Sequence, residues 1–210
     1  NYPDYEVVVV NDGSTDRTRE IAERYDYIHL INQENKGLSE ARNVGIRSST
    51  GDIIAFTDAD CMVHADWLTY LVARFQSSEF GAVGGPNLSP PDNSMIASCV
   101  AVSPGAPTHI LLDDEVAEHI PGCNMAFRRE ALDAISGFDP IFRAAGDDVD
   151  VCWRLQNRGY KIGFSPAALV WHFRRNTVRD YVKQQKGYGK AETLLFFKHP
   201  SRINVLGQSR

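Results

Sequence analysis

The chain has 210 residues, 43% hydrophobic and 23% charged, with a formal net charge of −5. That composition suits a globular protein with a sizeable core, and no apolar run approaches the roughly 18–20 residues of a membrane-spanning helix, nor does a signal peptide open the chain. The charge divides into +7 over residues 174–210 and −12 elsewhere, and an acidic body with one basic segment argues against nucleic acid as a partner, because that footprint should be broader.

Taken in chain order, strands and helices alternate through the first half. Glu6–Val10 is a β-branched run that ends in the turn Asn11-Asp12-Gly13-Ser14. Thr15 or Asp16 is placed to cap a helix reaching Tyr25. Tyr27–Asn32 is a predicted strand, and Leu38–Arg47 a helix with Leu38, Ala41 and Val44 on one face. Ile53–Thr57 is a strand, Trp67–Phe75 an amphipathic helix and Gly81–Gly84 a short strand. This rhythm predicts an α/β fold, a mostly parallel sheet with helices on both faces. Residues 85–120, with six prolines including Pro121 at their border, read mostly as an irregular loop region, of a length usually functional or mobile. Short helices are expected at Glu130–Ile135 and Asp148–Arg158, strands at Lys161–Ser165 and Leu169–Phe173, and a longer helix at Val178–Phe197, weakened by Gly187 and Gly189. One domain over 1–210 is the simplest organisation: a nucleotide-binding half (1–84), an acceptor and catalytic half (85–173) and a basic C-terminal helix (174–210).

The four cysteines, Cys61, Cys99, Cys123 and Cys152, show no CxxC spacing, so the sequence indicates neither zinc nor a disulfide framework; reduced thiols in a cytosolic protein are the default. Asp58-Ala59-Asp60 carries more information. Residues two apart on a strand share a face, so both carboxylates would leave the end of Ile53–Thr57 on one side. Paired acids suit Mg²⁺ or Mn²⁺, with phosphate oxygens completing the shell. Read alone, the same residues are equally an acidic turn before a helix near Asp66. Ligands bind beyond the carboxyl ends of strands in open α/β sheets. Asp12, Asp58/Asp60 and Asp147/Asp148 all fall at or near such positions, with His172 following.

Val9-Val10-Asn11-Asp12-Gly13-Ser14-Thr15-Asp16, Asn35-Lys36-Gly37 through Asn43, Asp58-Ala59-Asp60, Gly122 through Arg128 and Gly146 through Asp150 occur in one order. That series resembles the family 2 inverting glycosyltransferases of the GT-A fold, over roughly residues 6–190. The resemblance implies a nucleotide-sugar donor, expected to be UDP-linked, and a Mn²⁺ or Mg²⁺ cofactor. Asp12 would accept hydrogen bonds from the base, with Lys36 and Arg42 beside the nucleotide. Asp60 and His172 would hold the metal, and Asp58 would orient ribose or metal-bound water. Asp148 would be the catalytic base; Asp147 stands where Glu is common. Gly122 and Asn124 would form the floor beneath donor sugar and acceptor, with Asp147 on the acceptor side. A general base is needed by an alcohol and hardly by an already anionic phosphate, so the acceptor is expected to be a sugar or other hydroxyl. The rival acceptor is a polyprenyl phosphate, and the rival class is a non-catalytic nucleotide-sugar binder.

Two departures from the family pattern matter. The QxxRW signature of processive synthases is answered only by Gln184-Gln185-Lys186-Gly187-Tyr188, which argues against processive synthesis. The chain also starts at the family's second strand. The expectation is an exposed sheet edge, from a fragment, a shortened chain, or one that borrows a strand from a second copy as a homo-oligomer. The basic C-terminal segment offers peripheral contact with an anionic membrane or is a solvated helix face, so the expected location is cytoplasmic or at the inner face of a membrane.

Overall fold

The computed structural model describes residues 1–91, 94–103 and 109–202. The chain opens with β1 (Val7–Asp12), whose four consecutive valines favour an extended backbone. Helix α1 (Thr18–Ala22) follows, then β2 (Ile28–Gln33), α2 (Leu38–Ser48), β3 (Ile53–Phe56), β4 (Cys61–Val63) and α3 (Trp67–Gln76). Next come β5 (Ala82–Gly84), β6 (Asn87–Leu88), α4 (Met95–Ala101), β7 (Ile110–Leu111), β8 (Val116–His119), β9 (Met125–Arg128) and α5 (Arg129–Ala134). The described chain closes with α6 (Asp147–Asn157), β10 (Ile162–Phe164), β11 (Val170–His172), α7 (Val178–Lys198) and a 3₁₀ turn at Pro200–Arg202.

The strands form a parallel pair β1-β2, a six-stranded sheet in the order β3-β9-β5-β10-β8-β7, and a small sheet β4-β11-β6. The α/β class is the expected one. The strand directions differ from the expected mostly parallel sheet: in the six-stranded sheet only β5-β10 is a parallel pair. Two of the antiparallel pairs are made by β8; the other two are made by β9, which inserts antiparallel between β3 and β5. It is hidden in sequence because both of its faces are buried, so it lacks the polar alternation that marks a half-exposed strand.

The core lies on both faces of this sheet. Met125 and Phe127 point to a cluster with Ile54, Leu132, Phe138 and Leu155. Ala126, between them, points the other way, to Trp67, Leu71, Phe75 and Val83, as strand alternation requires. Trp67, Leu71 and Phe75 recur every four residues along α3, so one stripe of that helix faces the sheet. Helices therefore cover both faces, as the sequence predicts. Helix α1 is shorter than expected. Its Arg and Glu side chains pair with one another in solvent, where such pairs contribute little, and only Ala22 is buried to anchor it.

Residues 85–120 hold more structure than expected: β6, α4, β7 and β8. Residues 92–93 and 104–108 of that region lie outside the described residues, as do 203–210 of the C-terminal segment. Helix α7 runs through Gly187 and Gly189 unbroken, capped at its start by Thr177, whose Oγ1 accepts from Asp180 N–H at 3.1 Å. Its basic end is docked: Lys198 Nζ lies 2.5 Å from Asp139 and 2.7 Å from Asp150, and His199 Nε2 lies 2.7 Å from Asp150. No helix among the described residues is long and apolar enough to cross a membrane.

Among the described residues β1 pairs only with β2 and β3 only with β9. Each therefore has an edge without a strand partner. Glu6 ties the two regions at one end, its Oε1 accepting from Thr50 N–H at 2.5 Å and Gly51 N–H at 3.3 Å.

Candidate active site

The site lies where β3, the segment before β9, the start of α6 and the side of α7 converge. Arg42 of α2 is its organising residue. Only 8% of it is exposed, and it ion-pairs with Asp147, reaches Asp58 Oδ1 at 3.3 Å and donates to the Gly122 carbonyl at 3.2 Å. Its guanidinium also lies against the rings of Phe138 and Phe56, at 5.5 and 6.0 Å, contacts that Arg favours. One side chain thus joins the Asp58 motif to the Asp147/Asp148 motif. Arg42 is expected beside the nucleotide; here its Nη1 and Nη2 donate to protein oxygens.

Gly146 adopts φ +83°, a conformation glycine takes without penalty, and so turns the chain into α6. Asp147, Asp148 and Asp150 fill the first turn of that helix, where the helix dipole favours carboxylates. Asp147 is buried and paired with Arg42. Burial and neighbouring Asp148 push its carboxyl up to about 6 against the pull of Arg42. Asp148 is less enclosed; its Oδ2 accepts from Gly122 N–H at 2.9 Å. Gly122 is held between Asp148 and Arg42, and a Cβ there would stand 2.8 Å from Arg42 Nη2.

Asp58, Asp60 and His172 gather on the other side. One ligand atom from each can be chosen so that all lie within 4.8 Å. His172 Nε2 is 3.3 Å from Asp60 Oδ1. Burial raises the carboxyl of Asp58, with the Arg42 charge opposing. Burial would also raise Asp60, but the hydrogen bond and charge of His172, with Arg175, hold it below its ordinary value. The Nδ1 of His172 is buried with no hydrogen-bond partner. Two carboxylates, one imidazole and an unsatisfied ring nitrogen fit a divalent ion of the Mn²⁺ or Mg²⁺ kind.

Asp12 ends β1 and braces the loop before α2. Its Oδ1 accepts from Gln33 Nε2 at 2.7 Å and Lys36 N–H at 2.8 Å, and its Oδ2 from Gly37 N–H at 2.8 Å. These bonds outweigh burial and hold the carboxyl below its ordinary value. A carboxylate offers about four acceptor positions, so room for one further donor remains. Lys36 is exposed beside it.

Asn124, expected with Gly122 in the floor beneath donor sugar and acceptor, holds that segment through its side chain. It is completely buried. Its Oδ1 accepts from Trp67 Nε1 at 2.8 Å, and its Nδ2 donates to the Pro86 and Ala168 carbonyls at 2.9 and 2.7 Å. It ties three segments together, with both amide N–H groups engaged.

Between the two acid groups and α7 opens a cleft of about 780 Å³, lined by Arg42, Asp58, Gly122, Asp147 and Asp148 on one wall. Tyr188, Leu195, Phe196 and Phe197 of α7 line the other, with Ile110 and His119 at the rim. Burial, with Asp148 nearby, pushes the Tyr188 phenol up to about 12. Tyr188, His119 and its partner Glu118 were not among the predicted site residues. The Gln184–Tyr188 remnant pointed to the first; the others sit in a stretch that reads as loop.

Acids gathered beyond the strand ends of a helix-covered α/β sheet are the arrangement of a GT-A glycosyltransferase. The model of the family "Glycosyl transferase family 2" matches residues 1–136, and the chain belongs to that family. It is 28% identical over 211 residues to the pre-mycofactocin glycosyltransferase of Mycobacterium tuberculosis, covering 95% of this chain and 44% of that protein. The chain thus spans about half the length of the curated relatives it matches. Among solved structures it is similar to a mannosyltransferase of Pyrobaculum calidifontis in complex with GDP-Man and Mn²⁺, with TM-score 0.65 and 25% identity over 98% of this chain and 56% of that one. GalNAc-T7, solved with UDP, GalNAc and Mn²⁺, shares the fold with TM-score 0.65 and 18% identity, covering 86% of this chain and 41% of that one.

Proposed function

We propose that the chain is the catalytic region of a metal-dependent glycosyltransferase that moves a sugar from a nucleotide diphosphate to a hydroxyl acceptor with inversion. The observation that carries this reading is the placement of Asp148 in the cleft, bonded to Gly122, with the Asp58, Asp60 and His172 group across Arg42. Asp12 and Lys36 would receive the nucleotide end. Asp58, Asp60 and His172 would hold Mn²⁺ or Mg²⁺, which when bound neutralises charge on the leaving diphosphate.

Asp148 would take the proton of an acceptor hydroxyl as its oxygen attacks the anomeric carbon. Attack from the side opposite the diphosphate inverts that carbon, and no second carboxylate is needed as a nucleophile. Gly122 N–H fixes one oxygen of Asp148. The Arg42–Asp147 pair holds the α6 turn that presents it. The apolar wall of Leu195, Phe196 and Phe197 suits an acceptor with an apolar portion, and it favours the second reading, a polyprenyl phosphate.

Calorimetric titration of UDP and of GDP, with and without Mn²⁺, tests the donor site. Metal-dependent binding of one of them, lost in Asp60→Ala, is expected. Binding that ignores both the metal and that substitution would refute the assignment.

A further inference from the structure

Beside the carboxylate group lies a second set of ligand atoms with the opposite chemical character. Sulfurs of Cys61 and Cys123 and one ring nitrogen of His172 lie within 4.8 Å of one another. The fold puts them there. Cys61 opens β4 and His172 ends β11, and the two are directly opposed in that antiparallel pair, so their side chains share a face. Cys123 arrives from the segment before β9, where it is only 2% exposed. All four cysteines of the chain are free. His172 is 6% exposed, and its Nδ1 has no partner. A buried imidazole nitrogen left unsatisfied is costly, and a bound cation would remove that cost.

We propose that Cys61, Cys123 and His172 form a soft-cation site, with Zn²⁺ as the type ligand. Thiolate and imidazole ligands select Zn²⁺ over Mg²⁺ and Mn²⁺, which prefer carboxylate oxygens. Tetrahedral zinc, with bonds of about 2.3 Å to sulfur and about 2.0–2.1 Å to nitrogen, sets ligand atoms roughly 3.6–3.8 Å apart. A group already within 4.8 Å needs side-chain rotation and no movement of strands. The fourth position falls to solvent or to the carboxylate of Asp58 or Asp60. Binding would release the thiol protons to solvent. The site stands whether or not the chain transfers sugar. It draws on His172, so a chain holding Zn²⁺ there lacks that ligand for the carboxylate site. Sequence spacing could not show it, because β4 and the segment before β9 meet only in the folded chain.

The test uses the whole 210-residue chain, chelator-stripped and kept reduced. Co²⁺ serves as the optical probe, and a chromophoric chelator measures Zn²⁺ affinity by competition. One Zn²⁺ per chain is expected, along with a near-ultraviolet thiolate-to-cobalt band. Cys61→Ser, at a partly exposed position, should remove that band and weaken Zn²⁺ at least tenfold; Cys123→Ser should do the same if it folds. Asp58→Ala should keep the band, which separates this site from the carboxylate site. Absence of the band in the parent chain, or equal Zn²⁺ affinity in parent and Cys61→Ser, overturns the proposal. Neither result bears on Mn²⁺-dependent nucleotide binding.

Discussion

Replacing Arg42 by methionine removes the buried cation and keeps most of its volume against Phe56 and Phe138. Asp147 would then be a carboxylate in a site only 2% exposed, with Asp148 beside it and its cation gone. Breaking a buried pair by removing one partner costs about 3–5 kcal/mol. For a domain of this size each kcal/mol moves the midpoint by roughly 2–4 °C, so Arg42→Met should melt roughly 6–20 °C lower at pH 8. The loss has a pH signature. Without Arg42 the Asp147 carboxyl rises further above about 6, so at pH 5 it takes a proton and most of the penalty disappears. Arg42→Met/Asp147→Asn, which leaves no orphaned charge, should recover much of the loss at pH 8. Scanning calorimetry of the three variants with the parent at pH 5 and pH 8 measures all of this. A loss below about 1 kcal/mol, or one equal at both pH values, would refute the view that Arg42 chiefly neutralises Asp147.

Asp148→Asn should lower turnover by about 10²–10⁴-fold while leaving UDP affinity within a factor of two, since a general base acts in the chemical step; unchanged turnover would remove Asp148 from the mechanism. Gly122→Ala brings a methyl to 2.8 Å from Arg42 Nη2, so turnover should fall through displacement of the arginine, and an unaffected enzyme would show that the segment yields freely. Asn124→Ala deletes three buried hydrogen bonds and should cost about 3 kcal/mol or more of stability without a selective rise in acceptor KM; such a rise with stability unchanged would restore an acceptor role. In the folded state Asp147 keeps its proton to about pH 6, whereas the ordinary value is 3.8. The folded chain therefore binds more protons between those values, and this group's stabilising contribution, complete below 3.8, is lost as pH rises to 6. Denaturation across that window should show a steeper decline with pH for the parent than for Asp147→Asn, and parallel curves would deny the shift.

The sequence carried the fold where local chemistry and tertiary packing agree. The valines of β1 and the four-residue spacing of Trp67, Leu71 and Phe75 announce their elements because each satisfies one period. β9 does not, since Met125-Ala126-Phe127 is buried on both faces and looks the same whether strand or buried helix. Its antiparallel direction depends on partners far away in the chain. At the site, the acids were legible as residue types at strand ends, but their partners were not. Nothing in Gly37–Asn43 says that Arg42 will lie between Asp58 and Asp147, or that Asn124 will spend its amide on Trp67. The cysteine and histidine group shows the same limit, because ligand spacing informs only when the ligands are close in sequence.

Helix α2 packs against β1 and is pinned at its start by Leu38 N–H to the Arg143 carbonyl at 2.8 Å and Ser39 Oγ to the Phe142 carbonyl at 2.6 Å. Its N-terminal approach, Lys36-Gly37, hangs on Asp12, while its Arg42 reaches the acid pair. The first turns of one helix therefore link the strand pair at the proposed nucleotide end to the carboxylates, which is the construction of an interlock. Nucleotide settling on Asp12 would steady those turns and hence the guanidinium, so hydrogen exchange at the Arg42 Nε–H should slow when UDP binds. Equal exchange with and without nucleotide would mean that Lys36-Gly37 and Arg42 act independently.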